Sequence, residues 1–479
     1  MFVISAPEPQ PDSAGAPHSS AAAAPSRFTY ACLLLAFLLS SLPIKSSLWL
    51  DETATYWVAK DRARDAVARA WDWSGQSPLY YLTAWAARHL VPYLGLELSL
   101  RLPTLLTMMV ATYLVYRLAR YLLDPEAAML SALAFMCIPA VSFMAIDARP
   151  YALALALLVA SSLCCLKWLD SRRPIFALMY VAATTLTLYA HWLFALGLVA
   201  QLIYGVRHIR RLAALWAAIG ILCIPLLGQF LHFYRMRQSH NFSTTPEISS
   251  FFNAIAPPAL AAAVFLSLLL FQAWPPPSRP VPRGFLAVWL LFPPVFLFLI
   301  SLVTDTKLFV PRYYLSCAPA AALLAGYAVS RSSVMARAAS AIWIVALAIG
   351  IWIAGPIHAG EDWRGASQVV NRAASPGDPV LVVCGFIEGT EKGVNTPSFR
   401  EVLFAPQIAY PVANISRLPY YFDEHAIPPD LTRAARVFLV GERTLFDVQY
   451  EWWLKQKLTG YRAHSLGNFT RISVVEFER

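Results

Sequence analysis

Charge is what this chain has least of. Of its 479 residues, 14% are charged and 58% are hydrophobic, against about 25% and roughly 45–50% in soluble proteins. A soluble protein of this length could not hide so much apolar surface, so that class is excluded. Cysteine supplies no scaffold either. Cys32, Cys137, Cys164, Cys165, Cys223 and Cys317 fall within apolar stretches, and only Cys384 lies in the polar C-terminal part. A disulfide inside that part is therefore excluded, and no zinc spacing occurs. Two further patterns are missing: a glycine-rich phosphate cradle, and the internal repeat expected in many secondary transporters.

What is present is a succession of apolar runs. A helical span takes about 20 apolar residues, and the chain has room for about eleven spans plus one soluble domain. The runs predict spans near 28–49, 102–123, 127–146, 150–168, 174–190, 192–206, 212–232, 258–274, 284–303, 314–330 and 338–355. Residues 1–27, rich in Pro, Ala and Ser, read as a disordered tail. The expected fold class is an α-helical polytopic membrane protein, with a transmembrane domain over 28–356 and a small α/β domain over 357–479.

Residues 50–100 are too polar for the bilayer and form a first loop. Within it Tyr56, Ala59, Ala63, Val67, Ala70 and Trp71 recur at helical spacing, which predicts an amphipathic helix on the membrane surface. A second short helix is expected after Pro78. In the C-terminal part, Trp363, Ala366, Val370 and Ala373 predict a helix that ends at the turn Ser375-Pro376-Gly377-Asp378. Strands are expected at 380–383, 437–440, 461–466 and 471–477, and a helix at 450–458.

The formal net charge of +10 is concentrated in alternate loops. These carry Arg117 and Arg120; Lys167, Arg172 and Arg173; Arg207, Arg210 and Arg211; Arg279 and Arg283; Arg331 and Arg337. Positive-inside logic makes them cytoplasmic. With an odd number of spans the N-terminus is then cytoplasmic and the C-terminal domain external. The first external loop also carries basic residues, balanced there by Asp51, Glu52, Asp61, Asp65 and Asp72.

The candidate chemical groups all fall on the expected outer side. Asp51 and Glu52 follow the first span directly, at the depth where a general base would meet a membrane-embedded substrate. The plain alternative is that they end a helix and solvate it. Asp147 and Arg149 sit between the third and fourth spans, where an ionisable residue is costly enough to have a purpose. Their plain alternative is a mutual ion pair that tightens a turn. His191 lies between two apolar stretches and is read as substrate-binding or structural. Lys307, Arg312 and Tyr313 precede the tenth span, where basic side chains can bind a lipid phosphate or snorkel to the interface.

Several segments resemble the GT-C glycosyltransferases, in the branch of the bacterial protein O-mannosyltransferases and the lipid A aminoarabinose transferase. They are Leu50-Asp51-Glu52, Ser77-Pro78-Leu79-Tyr80-Tyr81, Leu100-Arg101-Leu102-Pro103-Thr104 and Asp147-Ala148-Arg149-Pro150-Tyr151. Pro311-Arg312-Tyr313-Tyr314 and Glu361-Asp362-Trp363-Arg364-Gly365-Ala366 also look like that branch. The likeness runs from about residue 28 to residue 385. It implies the GT-C fold, a bacterial inner-membrane location, and inverting transfer of a sugar from a polyprenyl-phosphate donor to a lipid, glycan or protein acceptor. It maps the base or acceptor-positioning Asp onto Asp51 and the second acidic site onto Asp147. Relatives often have His-Pro-Pro-Leu-Tyr-Tyr where this chain has Gln76-Ser77-Pro78-Leu79-Tyr80-Tyr81, so any role of that His is lost or altered here. Some relatives use a divalent cation, which two acids and a histidine do not by themselves prescribe.

The expected function is therefore a membrane glycosyltransferase with catalytic Asp51, Glu52 and Asp147. Arg149, His191, Lys307, Arg312 and Tyr313 would bind substrate. Two rivals belong to other classes. A transporter or flippase would show broken spans near the midplane and internal symmetry. A non-catalytic binding partner would tolerate loss of Asp51.

Overall fold

A computed structural model of the chain describes residues 27–72, 78–235, 244–269, 282–354, 358–390 and 394–479. The expected tail (except Arg27), Gln76, Ser77 and Arg279 lie outside the described residues.

Five of the described helices are long and apolar enough to cross a membrane: Arg27–Lys45, Leu96–Leu122, Tyr151–Ser171, Trp192–Leu222 and Arg283–Val303. The pair Ile248–Ile255 and Leu260–Ser267 would add a sixth, bent by 63°. Pro257 and Pro258 stand at that break; proline lacks the N–H that a continuing helix needs. Pro125–Met136, Pro174–Ala190 and Val334–Ala346 are apolar but shorter. Large side chains on these helices, among them Leu34, Leu106, Leu178, Phe265 and Leu299, face outward and are exposed. Such a girdle suits lipid, not water, and the chain is an integral membrane protein.

Two expectations about the helices change. The run Trp192–Leu222 contains a non-helical residue at His208, with φ −121° and ψ 26°. Arg211 donates to the Leu169 carbonyl at 3.4 Å, while Leu222 accepts from the Tyr189 hydroxyl at 3.1 Å. These contacts lie at opposite ends of the neighbouring helices, so the run descends and returns. The span expected at 212–232 is itself split into Ile209–Leu222 and Leu226–Arg235. In the first loop, the single helix expected over 56–71 is two, Leu50–Ala59 and Ala63–Asp72. Arg69 bridges the break, donating to the Trp57 carbonyl at 2.7 Å and to Asp61 at 2.5 Å.

Inside the bundle, polar side chains join helices. Ser161 bonds Thr184 at 2.7 Å and donates to Gln201 at 3.1 Å, and Gln201 donates to Ser162 at 2.9 Å. Such bonds hold helices together where lipid offers no hydrophobic drive. At Gly326 a Cβ would lie 2.2 Å from the Ser131 hydroxyl, so the helices Ala318–Ser330 and Pro125–Met136 touch backbone to backbone.

The C-terminal part forms a five-stranded sheet from β1 (Val380–Val383), β2 (Ile415–Leu418), β3 (Arg436–Glu442), β4 (Arg462–Phe469) and β5 (Ile472–Glu478), in the order β2-β1-β3-β5-β4. β1 pairs in parallel with β2 and β3; β5 is antiparallel to β3 and β4. All four residues of β1 are buried, as a central parallel strand covered on both faces requires. The period-two alternation sorts the faces. Leu381, Val383, Val437, Leu439, Val475 and Phe477 pack with Tyr450 and Leu454 of the helix Leu445–Lys457. The other face, Val380, Val382, Phe438, Val440, Ile472 and Val474, shares one core with Ala54, Trp57 and Val58 of the first loop and with Tyr80 and Tyr81. The sheet is packed directly onto the loop that carries Asp51.

Candidate functional site

Trp49 is extended and the helix Leu50–Ala59 begins immediately after it, with Asp51 and Glu52 in the first turn. Neighbouring helical residues point about 100° apart, because 3.6 residues make a turn. The two acids accordingly enter different surroundings.

Asp51 faces two guanidinium groups. Its Oδ2 lies 3.2 Å from Arg312 Nη1 and 3.8 Å from Arg149 Nη2, with 17% of the side chain exposed. Arg312 comes from the short helix Pro311–Tyr314, and Arg149 from the turn that opens the helix Tyr151–Ser171. Arg149 is buried, and its Nε and Nη1 have no hydrogen-bond partner among the described residues. His191 stands at the junction of the helix Pro174–Ala190 and the turn Trp192–Phe194. Its ring lies 5.0 Å from that of Tyr151 and 6.3 Å from that of Tyr313. Burial, then the charges of Arg149 and Arg312, push its imidazolium down to about 3, so His191 is neutral at physiological pH. The structure thus gathers Asp51, Arg149, His191, Arg312 and Tyr313 into one cluster. Lys307 bonds differently: its ammonium donates to the carbonyls of Ser301 and Thr304 at 2.8 and 2.9 Å, at the end of the helix Arg283–Val303. Such donation satisfies the last carbonyls of a helix.

Glu52 is fully buried with Arg101. The pair is bidentate, Arg101 Nε to Oε1 at 2.8 Å and Nη2 to Oε2 at 2.5 Å. Glu52 also accepts from the backbone N–H of Ala148 at 2.8 Å and of Trp49 at 3.3 Å. Burial pushes its carboxyl up, but the charge and bonds of Arg101 outweigh that and hold it below its ordinary value. Arg101 donates further to the carbonyls of Pro43, Ile44, Ser46 and Ser47 at 2.8–3.1 Å. One residue from the helix Leu96–Leu122 therefore ties down residues 43–47, which lead into the Asp51 helix. Asp147 belongs with this second group. It accepts from Trp49 Nε1 at 2.9 Å and lies 3.6 Å from His358 Nε2. The His358 ring stacks on Phe143 with centroids 4.2 Å apart. Burial raises the Asp147 carboxyl against the opposing pull of His358.

Glu52, Asp147 and His358 have ligand atoms within 4.8 Å of one another, so a divalent cation can be tested here. Both oxygens of Glu52 already accept two N–H bonds, and Arg101 places a positive charge against them. Asp147 Oδ2 and His358 Nε2 remain as donors. Two donors fall short of the three or four protein ligands of zinc, so the trio does not fit that ion.

Sequence reasoning quoted Arg101 and Glu361 only within family-like segments and gave them no role, and it passed over His358, Glu388 and Glu442. The signal for Arg101 was an arginine at the head of an apolar run. Glu361 accepts from the Leu50 N–H and from Trp363 Nε1, both at 2.9 Å. Burial, with the negative charges of Glu442 and Asp51, pushes its carboxyl up to about 8. Glu388 is pushed up to about 7 by burial and by Asp51. Burial and Asp51 also raise Glu442, against the opposing charge of Arg471. Glu388 follows β1 and Glu442 ends β3, at the carboxyl ends of two adjacent parallel strands. An apolar cavity of about 390 Å³ lies against the short helix that carries Arg312. Pro311 and Tyr314 line one side, and Ile138, Asn253, Pro257 and Cys317 complete the wall.

A helical bundle whose first loop is capped by a small sheet domain is a fold that this chain shares with solved structures. Two solved structures of ArnT from Cupriavidus metallidurans show the likeness along nearly the whole length. The structure bound to undecaprenyl phosphate superposes with a TM-score of 0.57 at 13% identity, covering 94% of this chain and 97% of that one. The apo structure gives a TM-score of 0.56 at 15% identity, with the same coverage. At these identities the likeness is one of fold. No protein-family model matches the sequence, and no curated protein does.

Proposed function

We propose that the chain is an inverting membrane glycosyltransferase that moves a sugar from a polyprenyl-phosphate carrier to an acceptor hydroxyl. The observation that carries the reading is the Asp51 carboxylate held against Arg149 and Arg312. Guanidinium forks match phosphate oxygens, and the undecaprenyl phosphate bound by the ArnT structure is a ligand of the class they would take. The prenyl chain would lie in the apolar cavity beside Pro311 and Tyr314, its phosphate reaching the two arginines. That phosphate competes with Asp51 for the guanidiniums and leaves the carboxylate facing the acceptor. Asp51 then takes the proton of the acceptor hydroxyl, the oxygen bonds to the anomeric carbon, and the bond from that carbon to the phosphate oxygen breaks. The phosphate leaves with the electron pair, its growing charge stabilised by Arg312 and Arg149. His191 and Tyr313 line the space and orient the sugar or the acceptor. Glu52 and Asp147 act in this reading through the shape of the loop. The site opens on the external face of a bacterial inner membrane, with the sheet domain on the same side.

A second reading has one observation in its favour. The break between Ile248–Ile255 and Leu260–Ser267 borders the apolar cavity, and broken helices mark many transporter sites. The two proline residues already explain that break. The deciding experiment incubates purified protein with a panel of labelled polyprenyl-phosphate sugars. Release of polyprenyl phosphate with a matching glycosylated product supports the transferase. Movement of intact carrier between vesicle leaflets, with no release from any donor, supports a flippase and sinks the transferase.

A further inference from the structure

The strap 358–363, between the helix Val334–Ala354 and the sheet domain, holds both ends of a connection. Its backbone belongs to the sheet domain: Glu361 bridges to Thr470 at the β4–β5 turn, Arg471 donates to the Gly360 carbonyl at 3.0 Å, and the Thr470 hydroxyl donates to the same carbonyl. Its side chains belong to the loop. The Glu361 carboxylate accepts from the N–H of Leu50 at 2.9 Å, from a distance of 311 residues in sequence, while Trp363 fixes the same oxygen from behind. Leu50 is the first residue of the helix that carries Asp51. Its N–H is one of the orphan donors that every helix start must satisfy. Trp49, in the N-cap position, makes no side-chain cap bond. Neighbouring contacts run the same way. Tyr410 accepts from the Leu48 N–H at 2.8 Å, Arg364 N–H donates to Ser47 at 3.1 Å, and a Cβ on Gly385 would meet Leu50 at 2.9 Å.

We propose that Glu361 is a positioning residue for Asp51: the sheet domain, through Glu361, sets the start of the Asp51 helix and so the placement of the base. The proposal rests on the transferase reading for its catalytic consequence. Its structural half stands without it. A helix start released from its acceptor shifts or frays, and a reacting group displaced by about 1 Å costs on the order of 100-fold in rate. Donor binding depends on Arg149 and Arg312, which other elements deliver.

The test compares Glu361→Ala and Glu361→Gln in the full-length protein. The amide oxygen of Gln can still accept both N–H bonds; Ala offers none. For Glu361→Ala we expect a kcat roughly 10- to 100-fold lower, with the KM for the polyprenyl-phosphate sugar within about twofold of wild type. For Glu361→Gln we expect most of the turnover to return. Hydrogen exchange over residues 46–56 should be faster in Glu361→Ala and near wild type in Glu361→Gln. Exchange unchanged in Glu361→Ala would overturn the positioning role, whatever the turnover shows. Turnover lost equally in both variants would overturn it too, since the charge would then matter and not the acceptor. If Glu361→Ala does not fold, Glu361→Gln still decides: normal kcat and exchange support the proposal, and loss of either overturns it. A wild-type protein inactive with every donor would count against the transferase reading alone, because the exchange measurement would still report on Glu361.

Discussion

Asp51 and Glu52 are adjacent in sequence and opposite in circumstance, and substitution should separate them. Asp51→Asn keeps the shape and removes the proton acceptor. General-base catalysis contributes roughly 10²–10⁴ in rate, so turnover of labelled donor should fall by about that factor, while the donor KM should not rise and should drop, because the carrier phosphate no longer competes with a carboxylate for Arg149 and Arg312. A well-folded Asp51→Asn protein with near-normal turnover would end the proposed mechanism. Glu52→Gln should fail another way. From sequence, Glu52 is a second catalytic acid whose loss is milder. Its pairing with Arg101 predicts a loss of folding, because Arg101 would be left buried and half-paired. Removing one partner of a buried ion pair costs about 3–5 kcal/mol, so the expected result is poor yield of folded protein. Good yield with abolished turnover would return Glu52 to the chemistry. For the carrier phosphate, Arg312→Ala should raise the donor concentration needed for half-maximal rate and lower the rate, since the contact tightens as charge develops. Lys307→Ala should do less, because its ammonium already serves the carbonyls of Ser301 and Thr304. Equal effects of the two would show that Lys307 also reaches the phosphate.

At the scale of elements, what was legible in the sequence is what period and composition encode. The strand at 380–383, the helix from Trp363 and the stop at Ser375-Pro376-Gly377-Asp378 all stand where expected, with Gly377 at φ +102° in the turn. The short strand Ile415–Leu418 escaped notice because its sequence, Ile-Ser-Arg-Leu, carries too little apolar pattern and is defined by its partner β1. The break between Leu50–Ala59 and Ala63–Asp72 escaped because the apolar spacing runs on across it; the bonds of Arg69 decide it. Long-range partners were not legible at all. Nothing near Leu50 announces Glu361, which the sheet domain delivers. The same domain should titrate. Glu361, Glu388 and Asp447 are all raised, to about 8, 7 and 7, each chiefly by burial. A carboxyl raised on folding contributes stability that is full below its ordinary range near pH 4 and is lost as pH rises through the folded value. These groups should therefore lower the thermal midpoint of the detergent-solubilised protein between about pH 4 and pH 8. Asp447→Asn should flatten that fall, since the amide still accepts the Thr444 N–H that caps the helix Leu445–Lys457. A midpoint that rises over this range would show that other groups dominate.

The whole molecule has two chemically distinct ends. At one end the basic loops converge. Arg211 reaches the Leu169 carbonyl, Lys167 lies 6.0 Å over the Tyr121 ring, Arg331 pairs with Asp124 at 3.9 Å and Arg337 pairs with Glu126. At the other end stand Asp51, Arg149, His191 and Arg312, joined by the sheet domain. The helix Leu96–Leu122 connects the two, with Arg101 near one terminus and Arg117 and Arg120 near the other. The sequence expressed this polarity through alternate loops, and the fold collects each set at one end. Which end faces the cytoplasm is a matter of charge: Lys and Arg in short loops are retained on that side. The N-terminus and the basic loops should be cytoplasmic, and the sheet domain external with the cluster around Asp51. Phosphatase fused after Arg479 should be active in cells, and a fluorescent protein fused there should stay dark. Both fusions leave the Glu361 strap and the β4–β5 turn intact, so they report orientation without disturbing the site. A fluorescent C-terminus would put the sheet domain and Asp51 in the cytoplasm together, because they share one core. The glycosyl transfer would then have to occur on the face opposite to the one proposed.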